Sequence, residues 1–342
     1  MARNPRAFTL IELLVVIAII ALLIGILLPS LGAARNVARQ LVSSTTIRSL
    51  GQGQAQYSTD NREFFAGPNT SGAFYQAQQF VPVFRNNSNL LLGTTSSSTP
   101  TMIWDWISPS IGEGAALSAN RGQRYWDIFN RLGSPVIRDV YDTFFSRPAD
   151  IADFNTVLQN KGRYKVASYL TPANFHVLPF TNSSRVPLPA NVGRGTYTHQ
   201  NFGTPTQTRL GYFPRIDAIG GTASNKVFIM SGSRYLDSSG LDFDPNPSGL
   251  WGSFADPGPI FHDSTAFGRG PSTPGGSGEA AKLAFRYNGK MLTGRFDGSG
   301  KLITKEEAYT DASLWAPGGS TFTGGSATPE ATAKYRNGDI IP

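Results

Sequence analysis

The chain contains no cysteine. That excludes a disulfide framework, a thiolate metal site and a thiol nucleophile, and it suits either side of a bacterial membrane. Charge is scarce: Asp, Glu, Lys and Arg make up 15% of 342 residues, against 37 glycines and 23 prolines. Such a balance favours a loop-rich, strand-containing extracytoplasmic domain over a helical bundle. Histidine is nearly absent as well. His176, His199 and His262 are scattered without paired metal-ligand spacing, and His262-Asp263 is the one suggestive neighbour pair. Neither a Gly-x-Ser-x-Gly nucleophile elbow nor a Gly-x-x-x-x-Gly-Lys-Ser/Thr phosphate loop occurs. The missing motifs point away from an enzyme and from a bound cofactor.

The net charge of +7 is unevenly distributed. The first 57 residues hold Arg3, Arg6, Arg35, Arg39 and Arg48 against one acid, Glu12, whereas the remainder is close to balanced. No dense Lys/Arg run with interleaved aromatics is present, so the electrostatic footprint of a nucleic-acid binder is missing.

What is there begins at the N-terminus. After Met1-Ala2-Arg3-Asn4-Pro5-Arg6-Ala7 comes Phe8-Thr9-Leu10-Ile11-Glu12-Leu13, then an uncharged apolar run to Leu28. As a helix, residues 8–28 would span roughly 31 Å at about 1.5 Å per residue. That matches a hydrocarbon core of about 30 Å. The two leading arginines and the amino terminus favour a cytoplasmic start, and Arg35 and Arg39 beyond the run reduce that asymmetry. A carboxylate within such a span costs on the order of 3 kcal/mol, and groups of this kind usually have a partner and a role. A solvated Glu12 at the membrane interface is the alternative.

The string Ala7-Phe8-Thr9-Leu10-Ile11-Glu12-Leu13 resembles the class III signal of type IV pilins and type II secretion pseudopilins. The resemblance covers about 50 residues. It implies that a membrane aspartyl prepilin peptidase cuts between Ala7 and Phe8, that Phe8 becomes an N-methylated terminus, and that Glu12 is the assembly glutamate. In the family a glycine normally precedes the cut; here Ala7 stands there. Pro29 falls where many pilins carry a helix-bending proline. Two rival readings use the same residues: an ordinary secretory signal cleaved near Gly32-Ala33-Ala34, and an uncleaved single-pass anchor.

Beyond Pro29 the helix is expected to continue to about Tyr57, with Ala34, Val37, Ala38, Leu41 and Val42 at helical spacing. An apolar face leaving the bilayer needs a cover, which predicts a sheet packed on it. Candidate strands are 164–169, 209–213, 226–230, 282–287, 291–296 and 301–304; candidate helices are 125–132 and 150–159. Residues 86–101, 271–278 and 317–333 read as loops or flexible connectors. The expected fold class is α+β, a long N-terminal helix packed on an antiparallel β-sheet head with long loops and an inserted lobe. Its expected divisions are a leader at 1–7, a transmembrane half-helix at 8–29, an amphipathic half at 30–57 and an extracytoplasmic head at 58–342.

Near the C-terminus, Arg286-Tyr287-Asn288-Gly289 is followed by Asp297-Gly298, with nine residues between Tyr287 and Asp297. This is similar to a His, nine residues, Asp-Gly motif of large pseudopilin-like families in planctomycete-type bacteria, with Tyr287 in the His place. Asn-Gly and Asp-Gly are also strong hairpin-turn dipeptides, which would join the last three candidate strands. For calcium, Asp242, Asp244 and Asn246 supply oxygens, with Pro247 where an EF-type loop needs glycine. Residues 295–306 overlay such a loop too, with Arg295 at its first ligand position.

The expected protein is therefore a filament subunit, of either a type IV pilus or a secretion pseudopilus. Its expected partners are a prepilin peptidase, like or related subunits and an inner-membrane assembly platform, and nucleic acid is not among them. It would sit in the inner membrane with its head in the periplasm. From another class, the alternative is an extracytoplasmic binding protein or hydrolase tethered by a pilin-like anchor.

Overall fold

The structure is a computed structural model. It describes residues 10–71, 96–102, 104–138, 140–141, 143–144, 148–179, 204–234, 236–237, 240–243, 254–268 and 277–342. The chain forms two compact units, residues 1–42 and residues 43–342.

Helix α1 covers Leu10–Asp60. Its N-terminal part, the described portion of the first unit, is an exposed apolar rod. The side chains from Leu10 to Ala38 are all exposed, and an 18-residue stretch reaches a mean hydropathy of 3.2. Leu, Ile, Val and Ala keep the helix regular through hydrogen bonding internal to the backbone, which suits a hydrocarbon surrounding.

The last five turns of α1 belong to the second unit and bury Ser43, Ile47, Leu50, Gln54 and Ser58, one stripe at 3–4 residue spacing. Val37, Leu41 and Val42 were expected to supply the covered face, yet all three are exposed. The buried stripe instead begins one residue later and mixes small polar with apolar side chains. Small residues let the helix approach closely: a Cβ on Gly53 would lie 2.0 Å from a methyl of Ile111. The helix ends where Arg62 and Glu63 turn to φ 57° and 69°, with Glu63 N–H donating to Ser58 O.

The remaining elements, in chain order, are α2 (Ile107–Ile111), α3 (Arg121–Trp126) running into a π-helical turn (Asp127–Arg131), β1 (Thr143–Phe144), α4 (Pro148–Lys161), β2 (Tyr169–Pro172), β3 (Thr206–Gln207), β4 (Val227–Ser231), β5 (Leu236–Asp237), β6 (Gly240–Phe243), β7 (Ala255–Asp256), α5 (Ser277–Ala284), β8 (Lys290–Arg295), β9 (Gly300–Thr304), α6 (Lys305–Thr310), β10 (Thr321–Phe322) and α7 (Pro329–Lys334). The main sheet has the order β7-β2-β4-β8-β9. Its pairs are antiparallel except β2–β7, which is parallel, so the sheet is mixed and the fold is α+β.

Strand β4 is buried at every residue, because the sheet is covered on both faces. Tyr169, Phe228 and Leu292 face the core shared with Ile47 and Leu50 of α1; Leu170, Met230 and Met291 face a second core built with Trp315, Phe322 and Ile341. A register shift between Val227 and Ile229 puts Phe228 and Ile229 on the α1 side together. Gly294 of β8 lies where α1 crosses: a Cβ there would stand 2.6 Å from a methyl of Ile47.

Several expected elements moved. Residues 282–287 are the end of α5 and a bridge residue, not a strand, since Ala280 and Ala284 pack as one helical face. Residues 209–213 form a turn. The segment 317–333, expected as a connector, is docked: it contains β10 and α7, and Phe322, Thr328 and Ala331 are buried. Thr328 caps α7 by accepting from Ala331 N–H, and Pro329 opens the helix, a pairing that low complexity concealed.

Candidate functional site

Two places hold the residues singled out from sequence: the N-terminal rod and the β8–β9 region. In the rod, Glu12 lies in the first described turn of α1 and is exposed, at the head of an otherwise apolar surface. Ala7 and Phe8 lie outside the described residues. Pro29 sits inside α1, and the helix continues through it. Its missing N–H removes the bond that Gly25 carbonyl would otherwise accept, and next to it Ser30 Oγ donates to Leu27 O at 2.8 Å.

In the second place, Asn288-Gly289 forms a two-residue turn. Tyr287 and Lys290 exchange both backbone hydrogen bonds, and Asn288 and Gly289 adopt φ 52° and 76°, as a type I′ turn requires. Asp297-Gly298 closes the β8–β9 hairpin. Gly298, at φ 81°, donates to Arg295 O, and Arg295 N–H donates to Ser299 O. Both dipeptides are turns, and they flank β8. The 295–306 window is therefore a hairpin and the start of α6, not a cation loop; Arg295 is buried with its guanidinium on Asn225 O at 3.0 Å. Ser299 donates both N–H and O–H to Asp297, which holds that carboxyl below its usual range. Asp242 lies in β6, while Asp244 and Asn246 fall outside the described residues.

Tyr287 itself is buried beside α1. Its hydroxyl is 3.1 Å from Ser134 Oγ, which in turn is 3.1 Å from Ser43 Oγ of α1. Arg286 Nε donates to the same hydroxyl at 3.2 Å, and its guanidinium lies over the Tyr169 and Tyr287 rings. A chain of hydroxyls thus ties the C-terminal motif to the long helix. Nothing in the spacing of Ser43, Ser134 and Tyr287 announced it, since their separations in sequence are 91 and 153 residues. Tyr287→Phe should lower the stability of the second unit by about 1–2 kcal/mol, because Ser134 and Arg286 then lose a buried partner. Urea unfolding of the full chain in detergent measures this, and an unchanged midpoint would show that the network carries no load.

His176 was not legible as anything but a scattered histidine. It is fully buried against Phe65, Trp104 and Phe228. Thr171 Oγ1 donates its proton to Phe228 O, so the 2.9 Å contact with His176 requires that Nε2–H donate and Nδ1 stay bare. A Cβ on Gly67 would stand 2.1 Å from that Nδ1, so the chain passes over the ring only as glycine. Burial pushes the imidazole down to about 3. At the surface, His262 Nδ1 is 3.2 Å from Asp263. Among the described residues no group of three His, Cys, Asp or Glu is placed to hold a metal.

Residues 2–28 match the family described as the prokaryotic N-terminal methylation motif. Over 62 residues the chain is 45% identical to the type IV wide pilus major component PilA4 of Thermus thermophilus, a match covering 18% of this chain and 47% of that protein. At its N-terminus the chain is type IV pilin-like. It spans about half the length of the curated relative it matches. No solved structure matches it. The pilin-like assignment therefore rests on the rod and its leading residues, and the two-faced sheet of the second unit stands on its own geometry.

Proposed function

We propose that the chain is a structural subunit of a type IV pilus-like filament or type II secretion pseudopilus. It is made as a membrane-anchored precursor with a leader at residues 1–7. A prepilin peptidase cuts between Ala7 and Phe8, and Phe8 is N-methylated. Residues 8–29 span the inner membrane once, with the head, residues 58–342, on the periplasmic side, and an assembly platform moves the subunit into a filament of like or related chains. The single observation that carries this is Glu12 at the head of an exposed helical stretch that is otherwise uncharged to Leu28, within the matched methylation motif.

The chemistry links processing to assembly. An opposite charge nearby stabilises a carboxylate held in a low-dielectric surrounding. A free ammonium at the depth of Glu12 exists only after the leader is removed. One helical turn separates Phe8 from Glu12, so a neighbour displaced slightly along the rod can place its terminus on this carboxylate. Coexpression with a prepilin peptidase, followed by intact mass and terminal sequencing of the membrane form, tests the processing. The expected product lacks residues 1–7 and carries one extra methyl group. A product starting at Met1, or beyond Leu28, overturns the proposal.

A further inference from the structure

We infer that Arg35 and Arg39 form a collar that binds the phosphate headgroups of anionic phospholipids on the side of the bilayer where the head lies. The inference rests on the membrane-spanning reading of α1 and adds a lipid preference to it.

Between Glu12 and Asp60 the sequence contains no acid, so these arginines have no local counter-charge on their own helix. Among the described residues neither guanidinium makes a hydrogen bond or an ion pair. The two stand one turn apart, on the same side of α1. Counting from Leu28, their Cα positions lie about 10 and 16 Å further along the axis. The headgroup layer extends roughly 5–7 Å beyond the hydrocarbon. For Arg35 the remaining gap of about 3 Å is closed by side-chain direction: on an α-helix the Cα–Cβ bonds tilt toward the N-terminus, which here is the membrane. The half-buried Arg39, a turn further out, adds attraction across one Debye length, about 8 Å, instead of direct contact. A long Arg stem lies back along the rod and delivers its fork to the phosphate layer. Planar guanidinium matches phosphate in a bidentate manner, so Arg suits this depth better than Lys would. An acidic surface on a second copy of the chain is the competing occupant; depth favours lipid, since the nearest acid in either direction on α1 is Glu12 or Asp60.

The test uses the full chain in vesicles of phosphatidylcholine alone and of phosphatidylcholine with phosphatidylglycerol. Spin-labelled lipids report which headgroup is immobilised around the helix, and alkaline extraction reports insertion. The expected preference for phosphatidylglycerol is at least about fivefold, from roughly 1 kcal/mol per basic residue at the surface. It should fall toward unity in R35Q/R39Q and in high salt, with extraction resistance unchanged. Equal immobilisation of both lipids by the unaltered chain overturns the collar while leaving the span intact. A preference that appears only at high protein density overturns it in favour of a second copy. Release of the chain by alkali from both vesicle types overturns the spanning reading instead.

Discussion

Glu12→Val should leave the chain inserted in the membrane and abolish its entry into filaments. Insertion is driven by the apolar surface from Leu10 to Leu28, which the substitution enlarges. Assembly is another matter, because apolar helices meeting in lipid gain little from hydrophobicity alone. A carboxylate meeting a terminal ammonium supplies both attraction and register. Removing it leaves the neighbour's charge in hydrocarbon without a counter-ion, a cost on the order of 3 kcal/mol for each contact. That corresponds to more than a hundredfold in each subunit–subunit equilibrium, and it recurs along a filament. Glu12→Asp, which keeps the charge on a shorter stem, should retain partial assembly. The measurement compares sheared filament with membrane pools of subunit. Normal incorporation of the valine variant would remove Glu12 from the assembly mechanism.

Acid should weaken the second unit through His176. In the fold its imidazole is held down to about 3, whereas the unfolded chain titrates at 6.5. The native state therefore keeps the ring neutral where the unfolded state takes up a proton. Stability is full above pH 6.5 and falls as the pH drops toward about 3. The slope approaches about 1.4 kcal/mol per pH unit below the unfolded pKa, so the loss accumulates to roughly 5 kcal/mol over the window. Between about pH 6.5 and 5 ordinary carboxylates contribute little, and a loss of about 2 kcal/mol there is the signature of the histidine. His176→Gln keeps a donor toward Thr171 and removes the titration, so its unfolding midpoint in urea should be nearly level across that interval. Parallel pH profiles for the variant and the unaltered chain would assign the acid sensitivity elsewhere.

The rod was legible because its determinants are local. A basic start, Glu12 after Phe8 and an unbroken apolar run are contiguous, and a helix in lipid satisfies its backbone without help from the rest of the chain. The hairpin turns were legible for a similar reason: Asn288-Gly289 and Asp297-Gly298 encode backbone conformations residue by residue. Strand β8 and strand β9 followed from being bounded by them. The misplaced elements fail where tertiary burial overrides a local pattern. Residues 282–287 carry β-favouring Phe and Tyr, but Ala280 and Ala284 bury a helical face; 317–333 carries loop-forming Gly, Pro and Thr, but docks on a second core.

By itself, the sequence determined that a pilin-like rod with one acid near its head begins the chain, because each of those properties is written in consecutive residues. Only the tertiary structure decided which stripe of α1 is covered, that the sheet is buried on both faces, and that Tyr287 reaches Ser43 through Ser134 while His176 is sealed as a neutral ring. Burial and partner choice depend on chain segments tens to hundreds of residues apart, and no pattern in neighbouring residues encodes where those segments meet.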